Sequence, residues 1–270
     1  MGNVSTIVFF HAHPDDEASQ TSGTMTLASR RGHRVVVVYG TDGDHGEVPD
    51  DLAPGESLVA RRRQEAEASA LVTGTARLAW LGYEDSGMTG WEQNAGKRSF
   101  HTADLDEAAG RLAAILDEED ADVLVTYDWH GGYGHPDHVK AHQVAHRAAD
   151  LAARRPRVLE STMNRDHLRR VMAMAAEAGL LPADGRGMDV DGPADDGNPF
   201  GTPESEIHWA VDISDAVDAK RAALACHASQ VTDIGMFLAI PIEHFRTGFG
   251  REFYIEPGRE AGMVEAWPFD

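Results

Sequence analysis

The chain has little cysteine, little basic charge and no long apolar run near its start, and each shortage argues against a class of protein. Cys226 is the sole cysteine among 270 residues, so no internal disulfide can form and nothing indicates an oxidising compartment. Acidic side chains number 45 against 24 basic ones, and the formal net charge is -21 at pH 7. Such a charge repels a phosphate backbone, which argues against a nucleic-acid partner and favours a small ligand.

The amino-terminal residues carry no sign of export. The apolar run Ile7 to Phe10 is too short for a signal sequence or a membrane span, and no basic cluster precedes it. We therefore expect a cytoplasmic protein without a membrane partner. The sequence leaves homo-oligomer formation open.

Short β-rich runs alternate with amphipathic stretches along most of the chain. The patterns typical of buried strands are Thr6 to His11, Arg34 to Tyr39, Arg77 to Leu81, Asp122 to Tyr127 and Arg157 to Thr162. The predicted helices between them are Glu17 to Arg31, Leu58 to Val72, Leu105 to Glu119 and His138 to Ala153. Each helix is long enough to connect two parallel strands. The alternation predicts one Rossmann-like, three-layer α/β domain over residues 1–270 with a mostly parallel sheet.

The second half of the chain is less regular. We predict a helix over Arg165 to Ala178, and an exposed insertion over residues 181–205, which are dense in Gly, Pro and Asp. A strand over Ile207 to Ile213, a helix over Asp215 to Ala228 and a strand over Arg251 to Glu256 complete the prediction. Two long loops, Gly40 to Ser57 and Gly82 to Thr102, directly follow predicted strands, so they should wall the ligand crevice of such a sheet.

A first cluster of polar residues, His11-Ala12-His13-Pro14-Asp15-Asp16-Glu17, lies where the first strand ends and its helix begins. A structural explanation covers part of it, because proline and acidic residues are favoured in the first turn of a helix. That explanation does not account for two histidines beside three carboxylates, a group that is costly to bury without a cation. The segment therefore favours a metal site.

A second cluster follows the fourth predicted strand, and it also contains a His-Pro-Asp turn: Tyr127-Asp128-Trp129-His130-Gly131-Gly132-Tyr133-Gly134-His135-Pro136-Asp137-His138. If both strands are central in one parallel sheet, their carboxyl ends are neighbours and the two turns face each other across the crevice. Histidine and carboxylate ligands with a position left for water are typical of catalytic rather than structural zinc. Fe(II) or another divalent ion would also suit such ligands.

Together with the Thr41-Asp42-Gly43-Asp44-His45-Gly46-Glu47 loop, the two clusters resemble the zinc-dependent LmbE-like or PIG-L deacetylases. Within that family, the chain is most similar to the mycothiol-pathway branch of N-acetylglucosaminyl-inositol deacetylases and mycothiol S-conjugate amidases. The likeness covers roughly residues 6–145 and returns at Asp85-Ser86-Gly87-Met88 and His227-Ala228-Ser229-Gln230.

The resemblance implies a role for each matching residue. It implies that His13, Asp16 and His138 hold zinc and that Asp15 is the general base, which also protonates the departing amine. It further implies that His135 and Tyr133 stabilise the oxyanion and that Asp137 orients or charges His135. A plainer interpretation makes His135 a turn cap and Tyr133 a packed loop aromatic. The surrounding glycines suggest a mobile loop that lets Tyr133 swing towards the substrate.

The resemblance also implies substrate contacts for Arg62 and Asp85, and we expect Glu47 to be a third substrate contact or to support the metal-bound water or its neighbours. The alternatives are a solvated basic helix face for Arg61 to Arg63 and a plain surface acid for Glu47.

The function that the resemblance implies is hydrolysis of an N-acetyl group on an N-acetylglucosamine-type small molecule, which gives acetate and a free amine. An amidase that cleaves a larger amide, such as a mycothiol S-conjugate, would use the same site. Two alternatives of other classes are a non-catalytic metal- or sugar-binding protein and a phosphate-handling Rossmann-like enzyme. The clusters contain candidates for ligands, base and oxyanion donors together, which favours an enzyme.

Overall fold

A single sheet of eight strands, in the order β3-β2-β1-β4-β5-β7-β6-β8, organises the chain. The structure is a computed structural model that describes residues 4–177, 179 and 189–270. The first five strands of that order are parallel, whereas β7 is antiparallel to both β5 and β6. The strands are β1 Thr6–His11, β2 Arg34–Thr41, β3 Arg77–Tyr83, β4 Val123–Tyr127, β5 Arg157–Thr162, β6 Trp209–Asp212, β7 Arg251–Ile255 and β8 Val264–Glu265.

Helices cover both faces of the sheet because the central strands are apolar on both sides. Alternate β1 residues such as Ile7 and Phe9 pack with α2, α3 and α7, whereas Val8 and Phe10 pack with α4 and α5. The described helices are α1 Asp16–Gln20, α2 Ser22–Arg30, α3 Leu58–Thr73, α4 Leu105–Glu118, α5 Pro136–Leu151, α6 Arg165–Glu177, α7 Val217–Cys226, α8 Val231–Ala239 and α9 Ile242–Phe249. The predicted three-layer α/β fold is confirmed.

The order of strands places a topological switch point at the centre of the sheet. The chain runs outward from β1 to β2 and β3, and then returns to β4, which pairs with the other side of β1. In open α/β sheets the ligand crevice lies at such a point, outside the carboxyl ends of the strands. Both polar clusters of the sequence follow these two strands, so the fold brings them to one crevice.

The predicted helix over Glu17 to Arg31 is wrong as a continuous helix, because it is interrupted at Thr21 between α1 and α2. The interruption frees backbone N–H groups at the start of α2. The buried carboxylate of Glu252 accepts hydrogen bonds from Gly23 N at 3.0 Å and Thr24 N at 2.8 Å. Lys220 Nζ lies 2.6 Å from the same carboxylate. A distant strand therefore decides where this helix starts, and local periodicity cannot show that.

We expect Glu252→Gln to lower the free energy of unfolding by about 3–5 kcal/mol, because it leaves the buried ammonium of Lys220 without its counter-charge. Urea denaturation would measure the change. Glu265→Gln is the matched control, since its partner Arg251 and Glu265 are both about half exposed, and we expect little effect from it. Equal effects of the two substitutions would contradict the prediction.

The carboxyl-terminal third departs most from the sequence prediction. Helices α8 and α9 and strand β8 were not predicted, whereas β6, α7 and β7 were predicted with ends displaced by a few residues. Part of the predicted insertion, residues 181–188, lies outside the described residues. Its described part runs beside the loop after β4, where Gly201 N donates to Gly132 O at 2.7 Å. The insertion itself stays a prediction.

Among the described helices, none combines the length and the apolar character that crossing a membrane requires. The cytoplasmic location and homo-oligomer formation stay predictions.

Candidate metal centre

Two histidines and an aspartate from the two clusters meet at the switch point. His13 follows β1, Asp16 begins α1, and His138 lies in the first turn of α5. Asp16 Oδ2 lies 3.2 Å from His13 Nδ1, and Asp16 Oδ1 lies 3.3 Å from His138 Nε2. Ligand atoms bonded to one tetrahedral zinc ion at 2.0–2.2 Å lie about 3.4 Å from each other. Asp16 therefore lies at the spacing of a neighbouring ligand from each of the two histidines, through a different oxygen in each pair.

The imidazole of His138 is held so that one nitrogen is left for a ligand. Its Nδ1 donates to the Gly131 carbonyl oxygen at 3.1 Å, so the neutral ring has its lone pair on Nε2. Nε2 is buried and has no hydrogen-bond partner among the described residues. Gly131 has φ +66°, and a Cβ there would lie 2.3 Å from the Cβ of His138. Only glycine allows this close approach.

The charges around His13 also fit a cation. Its Nε2 lies 3.1 Å from Asp137 Oδ2 and 3.5 Å from Asp85 Oδ1. Although burial disfavours the charged ring, Asp85, Asp137 and Asp16 raise the pKa of His13 well above its usual value. Three buried carboxylates around one imidazole leave an excess of negative charge that a divalent cation would balance.

The Asp137 carboxylate contacts His13 and Ser86, whereas the backbone N–H of Asp137 donates to His135 Nδ1, so a role of Asp137 in orienting His135 stays a prediction. The Asp137 carboxylate, in the first turn of α5, accepts hydrogen bonds from Ser86 N at 2.8 Å and from the Ser86 hydroxyl, in the loop after β3. Its other contact is His13 Nε2. No described carboxylate lies within 4.0 Å of the His135 ring nitrogens. A carboxylate behind a metal-binding histidine fixes the ring and its tautomer.

His135 and Tyr133 border the centre as hydrogen-bond donors. His135 Nδ1 accepts from the backbone N of Asp137 at 3.2 Å, so the neutral ring carries its proton on Nε2. Burial, together with His13 and His138, lowers the pKa of His135 well below its usual value. Burial also raises the pKa of Tyr133 well above its usual value, and the nearby Asp16 adds to the effect, so its hydroxyl remains protonated. The Tyr133 ring lies 5.2 Å from the His138 ring.

Residues 189–205, the described part of the predicted insertion, hold the loop that carries Tyr133. Asp195 N donates to Tyr133 O at 3.1 Å, and Phe200 stacks on the Tyr133 ring at 6.1 Å. Gly134 has φ +90°, and a Cβ there would lie 2.6 Å from Asp196 N. The swinging motion suggested by the glycines stays a prediction, and these contacts hold the loop in the present conformation.

Asp15 has a strained backbone that its neighbours hold in place. Its φ of 122° is rare for a residue other than glycine. Its N–H donates to Glu17 Oε2 at 3.0 Å, and Arg62 Nη2 donates to Asp15 Oδ2 at 2.9 Å. Burial raises the pKa of Asp15 to about 6, against the opposing effect of Arg62. A carboxyl group with a pKa near neutrality suits a general base.

Glu17 is itself held by a buried network. Its Oε1 lies 2.7 Å from His227 Nε2 and accepts from the Ser69 hydroxyl at 2.7 Å. Burial alone would raise the pKa of Glu17, but His227 lowers this pKa to about 2. His227 is fully buried, in keeping with the sequence likeness at His227 to Gln230.

The three residues predicted to contact substrate each have partners within the protein. The buried guanidinium of Arg62 donates to Gly43 O, Pro14 O and Asp15, which favours a role in positioning Asp15. Asp85 is 5% exposed and lies against His13. Glu47 accepts from Thr232 N at 2.8 Å, in the first turn of α8. Their contacts with substrate stay predictions.

The sequence prediction missed Ser86 and Tyr127 as parts of the centre. Tyr127, the last residue of β4, donates its hydroxyl hydrogen to Asp16 Oδ2 at 2.7 Å, and its ring stacks on His138 at 4.4 Å. Its position as the first residue of the second polar cluster was the available signal. Ser86 lies in the loop after β3, and its link to Asp137 spans 51 residues of chain.

Among the described residues, three groupings of side chains have potential ligand atoms that all lie within 4.8 Å of one another, and Asp16 belongs to none of them. They are His13 with His135 and His138, His13 with Asp85 and Asp137, and His142 with His146 and Glu160. The tautomer of His135 favours a donor rather than a ligand. We therefore keep Asp16 as the third ligand of the predicted centre.

A buried His/Asp cluster that can hold a divalent metal lies beside the partly buried Asp15 at the switch point of a doubly wound sheet, an arrangement that suits a hydrolase. Residues 8–149 match the family model described as PIG-L: GlcNAc-PI de-N-acetylase. The chain belongs to this family of amide hydrolases.

Several curated relatives are similar to this protein in sequence along nearly the whole chain. The deacetylase of 1D-myo-inositol 2-acetamido-2-deoxy-α-D-glucopyranoside from Acidothermus cellulolyticus is 38% identical, over 93% of this chain and 88% of its own. The deacetylase of the same name from a Nocardioides species is 36% identical, over 92% of this chain and 90% of its own. The N,N'-diacetylchitobiose deacetylase of Pyrococcus horikoshii has the same fold, with a TM-score of 0.58 and 22% identity over 94% of this chain and 83% of its own.

Proposed function

We propose that the protein is a zinc-dependent deacetylase that hydrolyses the acetamido group of an N-acetylglucosaminyl-inositol-type small molecule, giving acetate and a free amine. The observation that carries the proposal is the unpartnered Nε2 of His138, which lies 3.3 Å from Asp16 Oδ1 beside the strained Asp15. The names of the curated relatives support the choice of substrate.

His13, Asp16 and His138 would hold the metal in this proposal. Zinc, when bound there, supplies a Lewis acid and lowers the pKa of water. The Asp15 carboxylate takes the proton of the attacking water and then delivers it to the departing amine nitrogen. Glu17 and Arg62 position Asp15 for both transfers through the hydrogen bonds to its backbone and its carboxylate.

The Tyr133 hydroxyl and His135 Nε2–H serve as donors to the acetyl oxygen as it gains negative charge. Donors aimed at a developing oxyanion act most strongly in a buried site, where water does not screen them. Asp137 acts on the metal centre through His13, whose ring it orients. Asp85 and Glu47 keep the substrate contacts that the sequence predicts.

Tyr133→Phe tests the oxyanion role. We expect it to lower kcat by about 10²-fold with little change in KM, because it removes a donor that acts mainly in the transition state. Steady-state kinetics of acetate release would measure this. Tyr83→Phe is the control, since the buried Tyr83 hydroxyl has no partner among the described residues, and its loss should change kcat less than about twofold. An unchanged kcat in Tyr133→Phe would remove Tyr133 from the mechanism.

The substrate is tested by comparing acetate release from N-acetylglucosaminyl-inositol with amide cleavage of a mycothiol S-conjugate. We expect a clear preference, of about tenfold or more in kcat/KM, for the acetylated sugar. A preference for the S-conjugate would identify the protein as an amidase with the same centre. No release from either compound, with ligand binding intact, would favour a binding protein.

A further inference from the structure

A second cluster of side chains that could bind a metal lies between α5 and β5. It includes neither Asp15 nor Asp16. It consists of His142 and His146 of α5 and Glu160 of β5, and we call it the α5–β5 cluster. We propose that the α5–β5 cluster binds a divalent transition-metal ion, separately from the centre at His13, Asp16 and His138. The proposal does not depend on the deacetylase function.

The geometry brings one potential ligand atom from each side chain together. His146 Nε2 lies 2.8 Å from Glu160 Oε1, and His142 Nδ1 lies 3.7 Å from the same oxygen. The two histidines are one helical turn apart on the same face, and their ring centroids are 4.5 Å apart. The three ligand atoms lie within 4.8 Å of one another. Atoms at this spacing need only small side-chain movements to bind one ion.

The carboxylate of the cluster has no permanently charged partner among the described residues. Glu160 is 7% exposed, and among the described residues its carboxylate has His146 as its hydrogen-bond partner and no Arg or Lys within 4.0 Å. A buried carboxylate without a fixed counter-charge is unfavourable. Burial lowers the pKa of His142 below its usual value, against the opposing effect of Glu160, so its ring is neutral and can act as a ligand. A divalent ion would compensate the carboxylate.

The ligand types and their exposure indicate the kind of ion. Two imidazoles and one carboxylate suit Zn²⁺, Co²⁺, Ni²⁺ or Cu²⁺, whereas Mg²⁺ and Ca²⁺ prefer sites made of oxygen atoms. The side chains of His142 and His146 are 19% and 29% exposed, so an ion can reach them and water can complete its coordination.

The cluster is adjacent to the first centre but shares no ligand with it. Tyr127 lies between the two, because its carbonyl oxygen accepts from His142 Nδ1 at 3.1 Å while its hydroxyl donates to Asp16. An ion bound through His142 Nδ1 would replace the hydrogen bond to Tyr127. His138 lies one turn before His142 on α5, yet its free nitrogen faces Asp16.

The test is the number of Zn²⁺ ions bound by the metal-stripped full chain, measured by calorimetric titration and by elemental analysis after gel filtration. We expect two equivalents for the wild type and one for the double variant His142→Gln/His146→Gln. Acetate release should be within about twofold of the wild type in the double variant. The variant His138→Asn, altered at the first centre, should also bind one equivalent. Failure at one centre is thereby distinguished from failure at the other.

A matched control is His244→Gln, which removes an exposed histidine of α9 and should leave two equivalents bound. The single variant His146→Gln, checked by circular dichroism, replaces the double variant if the latter does not fold. One equivalent in the wild type that the folded variants of the cluster retain would overturn the proposal, and so would two equivalents in those variants. Loss of an equivalent in His244→Gln would show non-specific binding to surface histidines and would overturn it too.

Discussion

Asp15→Asn is expected to lower kcat for acetate release by roughly 10³-fold while the protein keeps its fold and its metal. General acid–base catalysis by one side chain contributes about 10²–10⁴-fold, and the same carboxyl group serves both proton transfers in the proposed reaction. Asparagine is the suitable replacement because it tolerates an unusual φ better than most residues, and its carbonyl oxygen can still accept from Arg62. Kinetics and elemental analysis of the same preparation would measure both properties.

The control for this substitution is Asp218→Asn, which changes an exposed acid of α7 that pairs with Arg246 on the surface. We expect it to leave kcat unchanged. If Asp15→Asn retained more than about a tenth of the wild-type kcat, another group would have to be the base. If it lost its metal, the loss of activity would reflect the centre rather than the base, and the assigned role would fail.

Removal of the metal is expected to have an equally large effect. Stripping the protein with a chelator should lower turnover by about 10³-fold or more, and returning Zn²⁺ should restore it. A bound metal contributes several kcal/mol of transition-state stabilisation, and each 1.36 kcal/mol corresponds to a factor of ten in rate. Returning Fe²⁺, Mn²⁺ or Co²⁺ instead of Zn²⁺ would rank the ions that the ligands accept.

The variant His142→Gln/His146→Gln separates the contributions of the two proposed metal sites to this result. If the catalytic ion is the one held by His13, Asp16 and His138, the double variant should lose and regain activity as the wild type does. Full turnover of stripped wild-type protein would exclude a metal-dependent mechanism. If recovery of activity required an intact α5–β5 cluster, the catalytic ion would be the one bound by that cluster. The assignment of the catalytic ion to His13, Asp16 and His138 would then be wrong.

Much of the fold could be predicted from residue periodicity. The central strands β1, β2 and β4 are apolar on most residues, since helices cover both faces of the sheet, and such runs are visible locally. The strands β1 and β5 coincide with their predicted bounds. The second half was harder, because α8 and α9 follow one another without an intervening strand and so break the alternation that guided the prediction.

Some side-chain contacts within the site could not be predicted from sequence, for a different reason. Asp137 is adjacent to Pro136 and close to His135 in sequence, and that proximity suggested a pairing between Asp137 and His135. The direction of its side chain in the first turn of α5 sends the carboxylate to His13 and Ser86. The contact of Arg62 with Asp15 was not visible in the sequence either, because the two residues are 47 positions apart. Side-chain direction depends on the packing of elements that are distant in sequence.

The sequence alone determined the class of fold, the two His-Pro-Asp turns and the family resemblance, because strand periodicity and turn residues act over a few neighbouring positions. Only the tertiary structure decided which nitrogen of His138 is free, what faces each side of His13, and where α2 starts. These features depend on hydrogen bonds between segments far apart in the chain, such as Tyr127 with Asp16 and Glu252 with Thr24. Local preferences set the elements, whereas the packing of the elements sets the chemistry of the side chains between them.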